Sequence, residues 1–212
     1  TKNITIQKDA GKVGQAVAVL ITGDRAIFEN CRFLGFQDTL YLKGQQDDPS
    51  KTKDVRHYFK NCYIEGTTDF IFGAATAVFQ NCEIYAKESA TYLTAASTPE
   101  GKKFGFVFID CKITGEAKSQ SVYLGRPWRP FAKTVFINTE ISNVIKPEGW
   151  HNWNKPDAEK TTFYGEYNSK GIGANSEKRV SWFHQLSKKE AKEYSIKKIL
   201  AGRDNWNFKI KK

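Results

Sequence analysis

Methionine is absent from all 212 residues, so Thr1 is not an initiator residue and the chain is expected to be a processed product or a piece of something longer. No run approaches the ~18 consecutive apolar residues that a membrane-spanning helix needs. The opening Thr1-Lys2-Asn3-Ile4 has neither the basic n-region nor the apolar h-region of a secretory signal. Cysteine is scarce, with four residues and no C-x-x-C pair, which argues against a zinc site. Histidine is scarcer still: His57, His151 and His184 stand in unrelated contexts, and each reads as a surface or packing residue. With no G-x-S-x-G elbow, no H-E-x-x-H and no phosphate-binding glycine loop, serine-hydrolase, zinc and nucleotide chemistry have no support.

What is present suits one folded domain spanning residues 1–212: 40% hydrophobic, 14% aromatic and 26% charged residues, enough to bury a core. Thirty-three basic against twenty-three acidic residues give +10, which favours a polyanionic partner such as nucleic acid, anionic lipid or an acidic polysaccharide. The excess is uneven. Residues 187–212 hold nine Lys/Arg and three acids, a net +6, leaving +4 for everything before them. Such a basic end reads as a solvated helix face, so neither nucleic acid nor a membrane is the expected partner.

One pattern recurs: Phe-x-Asn/Asp-Cys-x-apolar at Phe28-Glu29-Asn30-Cys31, Phe59-Lys60-Asn61-Cys62, Phe79-Gln80-Asn81-Cys82 and Phe108-Ile109-Asp110-Cys111, with Thr139 replacing Cys in Phe136-Ile137-Asn138-Thr139. Successive Phe positions are 31, 20, 29 and 28 residues apart. Each copy alternates with period two and is followed by turn residues, so each is a short strand that cannot bury a face alone and must stack. The spacing predicts an all-β fold, a right-handed parallel β-helix, with the length variation in its turns. The cysteines share one place in the repeat and form a ladder of buried thiols acting as small hydrophobes. Rungs ~4.8 Å apart also leave a Cys62–Cys82 disulfide open.

Counting from the repeat Phe aligns two acids: Asp38 and Asp69 each lie ten residues beyond their Phe, at 28 and 59. Carboxylates on adjacent rungs repel, so one pKa is expected to rise and the other to fall, the way a fold obtains a general acid and an ionised nucleophile from one residue type. Both sit in largely apolar strings, Phe36-Gln37-Asp38-Thr39-Leu40-Tyr41 and Thr68-Asp69-Phe70-Ile71-Phe72-Gly73, unlike exposed turn acids. In Leu124-Gly125-Arg126-Pro127-Trp128 a guanidinium able to hold a carboxylate bidentately precedes an aromatic face suited to a sugar ring.

These strings, with Gly14-Gln15-Ala16-Val17-Ala18 and Pro147-Glu148-Gly149-Trp150, resemble the pectin methylesterases in order and over most of the chain. The resemblance implies a carbohydrate esterase that hydrolyses the C6 methyl ester of galacturonate in methylesterified homogalacturonan. Asp69 is then the nucleophile and Asp38 the acid/base. Gln37 and Gln15 donate to the oxyanion, Arg126 holds Asp69, and Trp128, Phe72, Tyr41 and Thr68 line the substrate cleft. It further implies no metal or organic cofactor, a secreted or periplasmic setting and a monomer. Thr68 stands where the family commonly has Val, and the stretch from Lys43 to Val55 is longer than the family's usual link. The rivals are another β-helix enzyme, a pectate lyase or polygalacturonase, and a non-catalytic polysaccharide or nucleic-acid binder.

At the C-terminus, Ser187-Lys188-Lys189-Glu190 is a capping box that predicts one helix to about Leu200, packed along the coil by Ala191, Tyr194, Ile196, Ile199 and Leu200. At the other end Asn3 and Ile4 match Asn30 and Cys31, 27 residues earlier, so the chain begins inside a strand. The expectation is a C-terminal part of a longer esterase that lacks N-terminal coils, with other sequence covering Ile4 and Ile6.

Overall fold

The computed structural model describes residues 1–44 and 54–208; most of the long stretch from Lys43 to Val55, and three of the C-terminal lysines, lie outside the described residues. Three parallel sheets wrap a coil. The first comprises Thr5–Gln7, Arg32–Leu34, Tyr63–Gly66, Glu83–Ala86, Lys112–Gly115 and Glu140–Ile141. The second is made of Val19–Ile21, Leu40–Leu42, Thr68–Gly73, Tyr92–Ala96 and Tyr123–Gly125. The third contains the repeat strands Ala26–Glu29, Arg56–Lys60, Thr76–Gln80, Phe106–Ile109 and Lys133–Ile137, followed by Phe163–Tyr167 and His184–Gln185. The chain visits the sheets in turn, which makes the right-handed parallel β-helix that the spacing predicts.

The repeat chemistry explains the coil. Phe28, Phe59, Phe79, Phe108 and Phe136 stack in register, with centroids 5.1, 4.8, 4.4 and 4.5 Å apart and planes within 13°. Two residues on, Asn30, Asn61, Asn81, Asp110 and Asn138 turn the chain with φ of 51–55°, a left-handed conformation that Asn and Asp enter more readily than other non-glycine residues. Their side chains bond along the axis: Asn30 Nδ2 donates to Asn3 Oδ1 (3.2 Å), Asn61 to Asn30 (3.3 Å) and Asn138 to Asp110 (3.0 Å).

The next position goes inside. All four thiols are free and buried, so the disulfide is not formed. Each Sγ instead donates to carbonyls of its own and the preceding rung, for Cys82 to Gln80 O at 3.4 Å and Phe59 O at 3.6 Å. Thr139 Oγ1 bonds Ile137 O at 3.4 Å in the same way, which is why a hydroxyl serves in the fifth copy.

A sixth copy escaped the motif. Asn168 turns with φ 51° and donates to Asn138 Oδ1 at 2.8 Å, but Glu166 pairs in register with Phe136, where the ladder should have a Phe. This buried carboxylate takes Arg179 bidentately at 2.7 and 3.2 Å, and Arg179 also donates to Gly173 O and Pro147 O.

The C-terminal segment packs on the outer face of the third sheet, where Ile199 and Leu200 join Tyr58, Val78, Val107 and Val135. The capping box forms as expected, but the single helix does not. Lys188–Ala191 is one turn, Lys192–Tyr194 a 3-10 turn, and Ile196–Ala201 a separate helix, because Ser195 is extended with ψ 141°. Breaking there lets both short pieces follow the coil. Arg56, buried beneath them, donates to Leu200 O and Ala201 O and pairs with Asp24 and Asp204.

Candidate active site

The second sheet carries the acids. Leu40 pairs with Ile71, so Asp38 and Asp69 lie in register on adjacent rungs, and Asp38 N–H donates to Thr68 O at 3.0 Å. Both are left-handed, with φ of 62° and 50°, and both are buried, at 9% and 6% exposure. On its other side the Asp69 strand slips against Tyr92–Ala96: Tyr92 pairs with Thr68 but Thr94 with Ile71, so Asp69 and Phe70 oppose the single Leu93. This β-bulge re-aims Asp69 relative to a regular strand.

Arg126 reaches Asp69 from two rungs away. Its Nε and Nη2 donate to Oδ1 and Oδ2 at 2.9 and 2.6 Å. The preceding Gly125 lets the rungs approach, since a Cβ there would collide with Thr94 Oγ1. The guanidinium lies between two rings, its Cζ 3.9 Å from the centroid of Tyr92 and 3.6 Å from that of Trp153.

Burial pushes the Asp38 carboxyl up to about 6, helped by the charge of Asp69 and opposed by Arg126. Burial also raises Asp69, against the two hydrogen bonds and the charge of Arg126. The expected split, one up and one down, is corrected: burial acts in the same direction on both, and what distinguishes them is that Arg126 bonds Asp69 and not Asp38.

The other expected residues gather here. Tyr41 and Phe72 are register partners stacked at 4.4 Å, and Trp128 meets them edge-on at 6.1 and 5.8 Å. Thr68 Oγ1 lies 2.7 Å from Thr91 Oγ1. Ala16 N–H contacts Gln37 O at 3.4 Å, which brings exposed Gln15 beside half-buried Gln37, and neither glutamine side chain is engaged by another described residue. Among the described residues no group of three or more His, Cys, Asp or Glu is gathered to hold a metal ion.

Three site residues were missed from the sequence. Trp150, in the quoted motif, is buried against Tyr164 at 4.3 Å, and it is Trp153 that covers Arg126. Trp153 and Asn154 have φ of 56° and 54°, a conformation that costs a residue as bulky as Trp roughly 1–2 kcal/mol. The spacing Trp150-x-x-Trp153, interleaved with turn-forming Asn152 and Asn154, was the available signal. Tyr92 carried none. His151, read as a surface or packing residue, is half-buried beside both rings, with Nδ1 3.3 Å from Tyr92 OH and 3.3 Å from Trp153 N.

Fold and site together define a right-handed parallel β-helix protein with two register-paired carboxylates, one of them clamped by arginine. A family model for pectinesterases matches residues 1–203, and the chain belongs to that family. Pectinesterase 31 of Arabidopsis thaliana is 44% identical over 193 residues, covering 90% of this chain and 57% of the relative. Pectin methylesterase from carrot superposes with TM-score 0.84 at 35% identity, over 96% of this chain and 65% of that one. A pectin methylesterase in complex with hexasaccharide VII matches with TM-score 0.76 at 29% identity, over 99% and 71%. The chain thus spans 54% and 57% of the length of two of the curated relatives it matches and 29% of a third.

Proposed function

We propose that the chain carries the catalytic centre of a pectin methylesterase acting on methylesterified homogalacturonan outside the cell. The observation that carries this reading is the chemical inequality of two register-paired aspartates, one bonded bidentately by Arg126 and the other pushed up to about 6 with no side-chain partner among the described residues. An arginine fork favours the ionised form, so Asp69 is the nucleophile. A carboxyl pushed up to about 6 can both give and take a proton close to neutrality, so Asp38 is the acid/base.

An Asp69 oxygen attacks the C6 ester carbonyl while the side-chain amides of Gln37 and Gln15 donate to the oxyanion. The C6–O bond breaks and the leaving oxygen takes the Asp38 proton, releasing methanol and an acyl-enzyme. Asp38, now a carboxylate, removes a proton from water; the hydroxide attacks C6, the galacturonic acid leaves and Asp69 returns as carboxylate. Water and methyl ester become methanol and acid, with both aspartates restored. Tyr41, Phe72 and Trp128 supply faces for sugar rings, and Arg129, 5.6 Å over Trp128, adds positive charge suited to an acidic polymer.

Methanol release from methylated pectin tests the reading, with Asp69→Asn as control. Release by the wild type alone supports it. Chain cleavage without methanol would instead favour a lyase or polygalacturonase, and binding without either product a non-catalytic binder.

A further inference from the structure

Arg126 does not hold itself in place. The two rings that flank its guanidinium come from different parts of the coil, Tyr92 from the intervening rung and Trp153 from a loop whose backbone is left-handed at the tryptophan itself. Strained conformations of this kind persist only where their surroundings enforce them. His151 Nδ1 lies 3.3 Å from Trp153 N–H and 3.3 Å from Tyr92 OH. A backbone N–H can only donate, so Nδ1 is an acceptor whose lone pair both groups share, and the ring proton sits on Nε2.

The imidazole is itself fixed. His151 N–H donates to Gly125 O at 3.1 Å, and its ring lies 5.1 Å from that of Tyr123, which stacks on Tyr92 at 5.3 Å. Gly125 immediately precedes Arg126, so one residue ties together the backbone before the arginine and both slabs beside it. Burial, with the charges of Arg126 and Lys146, holds His151 below its ordinary pKa, so Nδ1 keeps its lone pair at neutral pH.

We propose that His151 is a positioning residue: through one acceptor nitrogen it holds Trp153 and Tyr92 as the slabs that aim Arg126 at Asp69. It touches neither carboxylate and does no proton transfer. The inference rests on the reading of Asp69 as nucleophile, since its kinetic consequence follows from that role.

The discriminating pair is His151→Leu and His151→Asn. Leucine removes the acceptor. Asparagine keeps one, because its Oδ1 can accept the N–H two residues on, as in an Asx turn. His151→Leu should lower kcat for methanol release about 10-fold through misplacement of Arg126, and His151→Asn should stay within about 3-fold of wild type. Independently of activity, the Arg126 Nε–H proton, shielded by two ring faces, should move downfield in the NMR spectrum of the leucine variant and little in that of the asparagine variant. Equal kcat in all three proteins, or an unmoved Arg126 resonance in a folded His151→Leu, would overturn the proposal, as would equal losses in both variants. Should the leucine variant fail to fold, Tyr92→Phe, which removes one donor and keeps the ring, takes its place with the same expected shift in smaller measure, and an unmoved resonance there overturns the proposal. If the wild type releases no methanol, the functional reading fails on its own and the NMR arm still decides the role of His151.

Discussion

Asn30, Asn61, Asn81 and Asn138 turn the coil with φ between 51° and 55°, and Asp38 and Asp69 turn it with φ of 62° and 50°. Backbone geometry is nearly the same at the two corners, and so is the one-rung stagger. The amide corner is exposed and self-complementary, because each Asn has both a donor and an acceptor to pass along the axis. The acid corner is buried, its carboxylates repel, and its one side-chain partner among the described residues arrives from two rungs away. A left-handed corner thus stabilises the solenoid where it carries amides. Where it carries the buried pair Asp38 and Asp69 it stores the electrostatic tension that the proposed chemistry draws on.

Converting the acid corner to the chemistry of the amide corner should give the largest effect. Asp69→Asn and Asp38→Asn are each expected to lose at least ~10²-fold in methanol release with circular dichroism unchanged. A folded variant within a few fold of wild type would remove that aspartate from the mechanism. Arg126→Lys comes next: it keeps the charge and loses the fork, so kcat should fall about 10-fold or more, and unchanged turnover would make Arg126 a packing residue.

A thermal scan against pH sharpens the comparison further. The Asp38 carboxyl titrates near 6 when folded, above its ordinary value, so the wild type is stabilised while this group is protonated and loses that stability as pH rises from about 4 through 6. Asp38→Asn lacks the titration. Its Tm should therefore exceed that of the wild type by on the order of 5 °C at pH 8, with the gap closing toward pH 4. A gap that does not change with pH would mean that the Asp38 carboxyl is not strained by burial.

The amide corner should give the smallest effect. Asn61→Ala is expected to cost about 1–2 kcal/mol in chemical denaturation, from the left-handed φ and the lost ladder bond, and to leave methanol release untouched. Asn61→Gly should cost less, since glycine accepts that φ. Loss of activity in a folded Asn61→Ala would show that the two corners are coupled.

Much of the fold was legible. The Phe, Asn and Cys positions recur because each does a local job in every rung, so stacking register and the pairing of Asp38 with Asp69 follow from counting. The sixth rung was not legible, because Glu166 replaces the Phe and its partner Arg179 is recognisable only once the loop has folded back. Nor was the break at Ser195, which keeps the C-terminal turns against Tyr58 and Val107, a constraint that helix periodicity does not contain. At the site, Arg126 beside Asp69 and the Tyr41–Phe72–Trp128 cluster were legible through motifs, whereas Tyr92 and His151 had none.

The order of the chain settles the solenoid, its rung length and the one-rung spacing of the two acids, because these depend on residue types at fixed offsets. Folding in three dimensions makes the two acids unlike, because Arg126 bonds Asp69 and not Asp38. That outcome needs the bulge that turns Asp69, an arginine 57 residues away clamped between Tyr92 and Trp153, and the burial that raises both carboxyls. Each of these is a contact or a desolvation between distant segments, and such terms exist only after the rungs have stacked.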